Sequence, residues 1–314
     1  MKQQLISLAE SKALRGIAIL GIILHNYCHF LPAVQENEYT FEEKWPNMLL
    51  NSVITLGHNC VIDFLSFFGC YGVPVFLFVS GYGLVMKYEN DKAEKIRPLS
   101  FIGYHYLKLF RLMFLGYIAF VVVCFLHPNG YHGYSFGNIV AQMLMYINVL
   151  PSPDKIIKPG PYWFFGLMIQ LYIVYRLFLY RRHWAYTVCM VVFCWLIQEF
   201  CDPAGETINR IRYNFFGGML PFGAGILFAR YGKEMSRLTY AAIMLVSLFL
   251  ICVSSFNFHA SLWTPLFIVS ATLGIVKILP LILMKVFVWF GAISAALFVA
   301  HPITREIIIP MSYH

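Results

Sequence analysis

Two histidines lie one helical turn apart at the start of the chain. His25 closes the apolar run Ala13-Leu-Arg-Gly-Ile-Ala-Ile-Leu-Gly-Ile-Ile-Leu-His25-Asn26, and His29 follows four residues later. An imidazole takes and gives protons near neutral pH without a large shift. An ionisable group at membrane depth is costly, so it faces a bundle interior or a water-filled cavity and marks function. The competing reading is a packing histidine bonded to a neighbouring carbonyl or hydroxyl. His25 and His29 share a helix face, a spacing that zinc sites use. A third ligand and a glutamate base normally complete that pattern, and none follows here, so no metal site is expected. His29, near the outer end of the segment, reads as interfacial.

The elements that position these residues follow from composition. The 314 residues are 60% hydrophobic, 18% aromatic and only 12% charged, with a mean hydropathy of +0.68. Soluble domains carry about a quarter charged residues, so this chain cannot cover a soluble surface. Apolar segments lie near 13–31, 61–86, 104–126, 137–150, 162–180, 184–200, 213–231, 238–256, 262–283 and 286–309. Most approach the roughly 20 residues a spanning helix needs. The first carries Arg15 and His25 and lacks a small-residue cleavage site, so it reads as a retained span and not as a signal peptide. The expected fold is an all-α, polytopic transmembrane helical bundle with about nine or ten spanning helices, one membrane domain over 1–314.

The net charge of +8 is not a nucleic-acid signal, because Lys and Arg cluster at the ends of apolar runs, as the positive-inside bias places them. Lys2, Lys12 and Arg15 precede the first segment. Lys87, Lys92, Lys95, Arg97, Lys108 and Arg111 follow the second. Both groups are expected inside, with a cytoplasmic N-terminus, and the Glu36–Glu43 stretch outside. The segment 137–150 is too short for a perpendicular span. Keeping Arg181 and Arg182 inside requires that it not cross, which favours nine spans over ten. The eight cysteines include no Cys-x-x-Cys pair and read as free thiols. Pro74, Pro221, Pro265 and Pro302 interrupt apolar segments, and each frees a backbone carbonyl. Pro221 and Pro265 read as packing kinks.

Several stretches, taken in order, resemble the acyltransferase family 3 proteins, bacterial integral-membrane O-acyltransferases. They are Arg15-Gly-Ile-Ala-Ile-Leu…His25, Tyr71-Gly-Val-Pro-Val-Phe-Leu-Phe-Val-Ser80-Gly81-Tyr82, Lys108-Leu-Phe-Arg111, Pro161-Tyr-Trp163-Phe-Phe-Gly-Leu and Phe290-Gly-Ala-Ile-Ser294…His301-Pro302. They run from residue 13 to 302. The resemblance implies transfer of an acyl group, usually acetyl, from cytoplasmic coenzyme A thioester to a carbohydrate, at the bacterial cytoplasmic (inner) membrane. It implies that His25 is the essential intramembrane histidine and that Lys108 and Arg111 are the family's cytoplasmic basic pair. Acyl-CoA is then a donor substrate, with no tightly bound cofactor, and the acceptor is a cell-surface or lipid-linked saccharide. The chain ends soon after the last segment, so no fused extracytoplasmic domain is expected.

The chemistry is consistent with this. A sugar hydroxyl attacks only when a base takes its proton, and a buried neutral imidazole suits that task. The coenzyme phosphates need cations such as Lys108, Arg111, Arg97 and Arg15. The tetrahedral intermediate needs donors, with Asn26, Ser80, Tyr82 and Trp163 as candidates, though packing explains each of them better. Asp63 is a candidate for orienting a histidine, or a solvated helix-end acid. His301 is a second imidazole before a kink. Two features depart from the family. Arg15 and His25 are an i,i+10 pair where the family has i,i+11, which turns Arg15 about 80° away. Gln170 follows the Trp stretch where one branch has Glu. The alternative is a secondary transporter or exporter of a small polar molecule, built from the same broken helices.

Overall fold

The computed structural model describes residues 4–89, 96–126 and 133–311. Lys2, Lys92 and Lys95 lie outside the described residues. Helix α1 (Leu8–Cys28) opens with a capping box. The Glu10 N–H donates to Ser7 Oγ at 3.2 Å, and the Ser7 N–H donates to the Glu10 carboxylate at 2.7 Å. Such a cap contributes about 1 kcal/mol and holds the charged end of α1 apart from the apolar run behind it.

Two short helices follow, α2 (Lys44–Ile54) and α3 (Cys60–Phe68). A tight turn at Gly69–Tyr71 joins α3 to α4 (Gly72–Tyr88). Pro74 sits in the first turn of α4, where its missing N–H has no intrahelical acceptor to lose. The chain continues through α5 (Pro98–Leu126), α6 (Phe136–Met143), α7 (Pro153–Ile156) and α8 (Trp163–Val174), the last running into a π turn at Tyr175–Leu179. Then come α9 (Trp184–Glu199), α10 (Glu206–Arg212), α11 (Phe215–Tyr231), α12 (Arg237–Ser254), α13 (Phe258–Ser261), α14 (Thr264–Ile278), α15 (Leu281–Ala292) and α16 (Ser294–Met311). No strand occurs among the described residues.

Small residues bring the central helices close. Gly16 of α1 meets the Phe287 carbonyl of α15, and Gly291 of α15 meets the Lys12 carbonyl, so a Cβ at either would strike backbone. Glycine at such crossings is how helices pack where lipid offers no hydrophobic drive. Gly81 of α4 and Gly225 of α11 form a matching crossing. At the far end of α4 a buried ion pair fastens the same two helices. Arg230 reaches Glu89 at 2.5 and 2.9 Å and also donates to the Leu179 carbonyl at 2.7 Å. The π turn therefore ends on a cation of α11.

This is an integral membrane protein with an all-helical fold. Among the described residues, four continuous helical stretches are long and apolar enough to cross a bilayer: Cys60–Tyr88, Pro98–Leu126, Gly160–Leu179 and Arg237–Ser254. The pair α15 and α16 makes a fifth if counted as one bent span. The expected segment at 286–309 is therefore not one rod. It bends by 69° at Ile293, and the Ser294 hydroxyl donates to the Gly291 carbonyl at 2.9 Å there. Pro302 lies inside α16 without ending it. The segment 137–150 folds as the eight-residue α6 and a short turn. At 1.5 Å per residue, α6 is about 12 Å long against a hydrocarbon core of about 30 Å.

Candidate active site

The turn at Gly69–Tyr71 shapes the site. Gly21 approaches the Gly69 carbonyl, and a Cβ on Gly69 would strike the His25 side chain. The last carbonyls of α3 have no intrahelical partner, and His25 uses one of them: its Nδ1–H donates to the Ser66 carbonyl at 2.6 Å. A carbonyl only accepts, so in the neutral ring Nε2 carries the lone pair. His25 is only 7% exposed.

His25 lines a cavity of about 330 Å³ with Asn26, His29, Glu36, Trp163 and Arg305 among its walls. That volume falls in the range of small-ligand pockets. Arg305, one turn beyond His301 on α16, donates to Asn26 Oδ1 at 3.1 Å and lies 4.0 Å over the Phe30 ring. Asn26 and Phe30 are neutral, and the adjacent Glu306 is its charged neighbour at the histidine's cavity. Asn26 also donates to the Ile22 carbonyl at 3.0 Å, so its amide is held at both ends.

The strap 29–43 closes one side of this cavity. The Val34 N–H donates to Asp63 Oδ1 at 3.0 Å, and the Phe41 N–H donates to the Pro203 carbonyl at 2.8 Å. Arg212 Nη1 donates to the carbonyls of Asn37 and Glu38, both at 3.1 Å. His29 Nδ1 approaches Glu36 Oε2 to 2.6 Å. Burial and the neighbouring charge of Glu36 push the Glu38 carboxyl up to about 8, and burial holds the Arg212 guanidinium down to about 10.

Aromatic rings form a second wall. Tyr39 of the strap stacks on Tyr213 with centroids 4.0 Å apart, and Trp163 meets both edge-on at 5.7 Å. Asn148 holds that wall in place, donating to the carbonyls of Trp163 at 2.8 Å and Tyr213 at 2.7 Å. Tyr39, Trp163, Glu38 and Cys70 also line a smaller adjoining cavity of about 100 Å³ that includes Arg212.

The other expected site residues are dispersed. Asp63 is buried, but its second oxygen accepts from Ser52 Oγ at 2.6 Å. It anchors the strap, and the Ser66 carbonyl, not Asp63, orients His25. His301 is buried, with Nδ1 on its own helix at the Leu297 carbonyl and Nε2 without a hydrogen bond. It is not among the cavity-lining residues. Tyr82 accepts the Ile6 N–H at 3.0 Å and fixes the N-terminal segment. Ser80 sits against Tyr172 on α8. Gln170 bonds Asn214 and the Phe215 N–H and lines a separate groove of about 750 Å³. Of the four residues named for the oxyanion, Asn26 and Trp163 line the histidine's cavity, and Ser80 and Tyr82 do not.

Lys108 and Arg111 are exposed on α5. That helix has 29 residues, about 43 Å, so roughly nine of them project beyond a 30 Å core. Lys108 and Arg111 are the eleventh and fourteenth residues of that helix. Buried beside them is His105, which meets the Tyr88 hydroxyl at 3.2 Å and which the sequence reading missed. Arg15 is half-buried and caps back onto the Ser11 carbonyl at 3.2 Å. Ten residues of helix, about 15 Å, separate it from His25.

Sequence reasoning set His29 aside as interfacial and did not single out Glu36, Glu38 and Arg305, all of which line the cavity. For Glu36 the available signal was the first acid after His29, seven residues on, and for Arg305 a cation one turn after His301. A third potential ligand for the histidine pair, which the sequence reading did not find along the helix, is supplied by the strap as Glu36.

A family model described as an acyltransferase domain matches residues 8–314. Comparison with curated proteins and with solved structures gives no match.

Proposed function

Because the chain belongs to the acyltransferase 3 family of membrane acyltransferases, we propose that it moves an acetyl group from coenzyme A to a hydroxyl of a cell-surface or lipid-linked saccharide, with His25 as the general base. The observation that carries this reading is the orientation of His25. Its Nδ1–H is engaged by Ser66, and the cavity it lines also holds Arg305 and the Trp163–Tyr39–Tyr213 wall. In the proposed reaction His25 Nε2 takes the proton of the acceptor hydroxyl as its oxygen attacks the thioester carbonyl. Arg305 offsets the charge that develops on the carbonyl oxygen. Collapse breaks the carbon–sulfur bond, and the proton passes from His25 to the departing thiolate. The acyl group leaves as an ester and the coenzyme as a thiol.

In this reading the bundle is one membrane domain over 1–314 with nine spans, the N-terminus is cytoplasmic, and the membrane is the bacterial inner membrane. Lys108, Arg111 and Arg15 then face the donor side and contact the coenzyme phosphates. Family membership favours group transfer over the transporter alternative.

The test uses purified protein in lipid, labelled acetyl-CoA and a cell-envelope extract. We expect labelled ester in a saccharide fraction, and a His25→Ala variant that inserts normally but transfers nothing. A variant rate close to wild type at matched expression would falsify the base assignment. Label confined to water as free acetate would remove the saccharide acceptor.

A further inference from the structure

Three potential ligand atoms converge on one point of the cavity: a ring nitrogen of His25, a ring nitrogen of His29 and a carboxylate oxygen of Glu36 all lie within 4.8 Å of one another. We propose that they form a binding site for a divalent transition-metal ion of the zinc class, and that the occupied site is the inactive state of the enzyme. The binding half of the proposal stands on this geometry. The inhibitory half rests on the reading of His25 as base.

Four observations point to a cation. His29 Nδ1 and Glu36 Oε2 stand 2.6 Å apart and are both buried, yet neither has a hydrogen bond of good geometry. A carboxylate oxygen that close to a ring nitrogen requires a proton on that nitrogen or a metal ion beside the pair, and in either case positive charge is held at this point. The two histidines sit at i and i+4 on one face of α1, the spacing that presents two imidazoles to one ion. His25 gives its other ring N–H to a backbone carbonyl, the outer support that metal-bound histidines ordinarily have. Finally, carboxylates outnumber cations around the cavity even with Glu38 left out: Glu36, Asp154 and Glu306 against Arg305 and Lys158.

Two imidazoles and one carboxylate suit zinc, and not the all-oxygen shells of calcium or magnesium. Three protein ligands leave a fourth position for water. The consequence for catalysis is a matter of one electron pair. The lone pair of a neutral imidazole nitrogen either coordinates a metal or accepts a proton, so a bound ion removes the base without touching the rest of the cavity.

The test uses full-length protein in lipid nanodiscs after chelator treatment. Cobalt(II) titration should give a saturable, one-equivalent visible spectrum of low-coordinate cobalt, displaced by zinc. Glu36→Gln and His29→Ala should each weaken metal binding at least tenfold. In wild-type protein, zinc should also protect His25 and His29 from an acylating histidine reagent, a readout that needs no variant. Acetyl transfer should fall as zinc saturates the site and return on chelation, each variant being compared with its own metal-free rate. Absence of saturable binding, or binding unchanged in both variants, overturns the site. Saturable binding with an unchanged transfer rate, in a protein that His25→Ala inactivates, overturns the inhibition. If His25→Ala remains active, the base reading fails and metal binding stands. Loss of transfer on chelation, restored by zinc, overturns the inhibitory role.

Discussion

At the scale of single residues, Asp63 and Arg305 exchange the importance that their sequence positions imply. Asp63 has both carboxylate oxygens engaged by Val34 and Ser52, so Asp63→Ala should loosen the strap. Leaving two donors without their partner costs about 1–3 kcal/mol for each one that stays buried. The expected result is a lower Tm with the pH–rate inflection of transfer unmoved; a shifted inflection would return Asp63 to the role of orienting His25. Arg305→Gln keeps a donor near Asn26 and removes the charge. It should lower kcat by about 10²–10³, the loss seen when one donor to a developing oxyanion is removed. A change confined to KM would instead make Arg305 an acceptor-binding group. His25 was legible in the sequence because an imidazole in an apolar run has few explanations. Arg305 was not, because its meaning depends on a contact with Asn26 across 279 residues.

At the scale of elements, the apolar runs were legible because the bilayer imposes a length. The breaks within them were not. The turn at Gly69–Tyr71 has no proline of its own, and its position is set by contact with α1. Gly69→Val should therefore prevent α1 and α4 from closing together, giving poor insertion or a Tm loss well beyond that of valine at Gly83, around which a Cβ meets open space. Equal tolerance at both positions would mean that the crossing is not tight. The short α6 carries a topological prediction. In a cysteine-depleted background, single cysteines at Ser135 and Lys155 should both react with an impermeant thiol reagent in intact cells. If the Lys155 probe reacts only after permeabilisation, the stretch crosses and the charge argument fails. The companion position Asn129 lies outside the described residues.

At the scale of the whole molecule, the proposed site is split by depth. The histidine's cavity and the exposed Lys108–Arg111 pair sit on different elements, and Arg15 lies about 15 Å of helix from His25. Replacing Lys108 and Arg111 together by Gln should weaken coenzyme A binding and flatten its dependence on salt, since exposed charge pairs are screened. An unchanged dissociation constant at low salt would leave the pair as anchors of orientation alone. Overall class was legible from charge content and hydropathy, but the assembly of the cavity was not, because the strap that closes it reads as an ordinary polar loop. How that strap is held bears on descent. Its ties to Asp63, Pro203 and Arg212 run through its own main chain, at Val34, Phe41, Asn37 and Glu38. Val34, Tyr39 and Phe41 add packing to these ties, but the strap's unburied side chains are free to change without loosening it. Acceptor preference can drift between related enzymes through substitutions on the strap, while the imidazole beneath keeps its place.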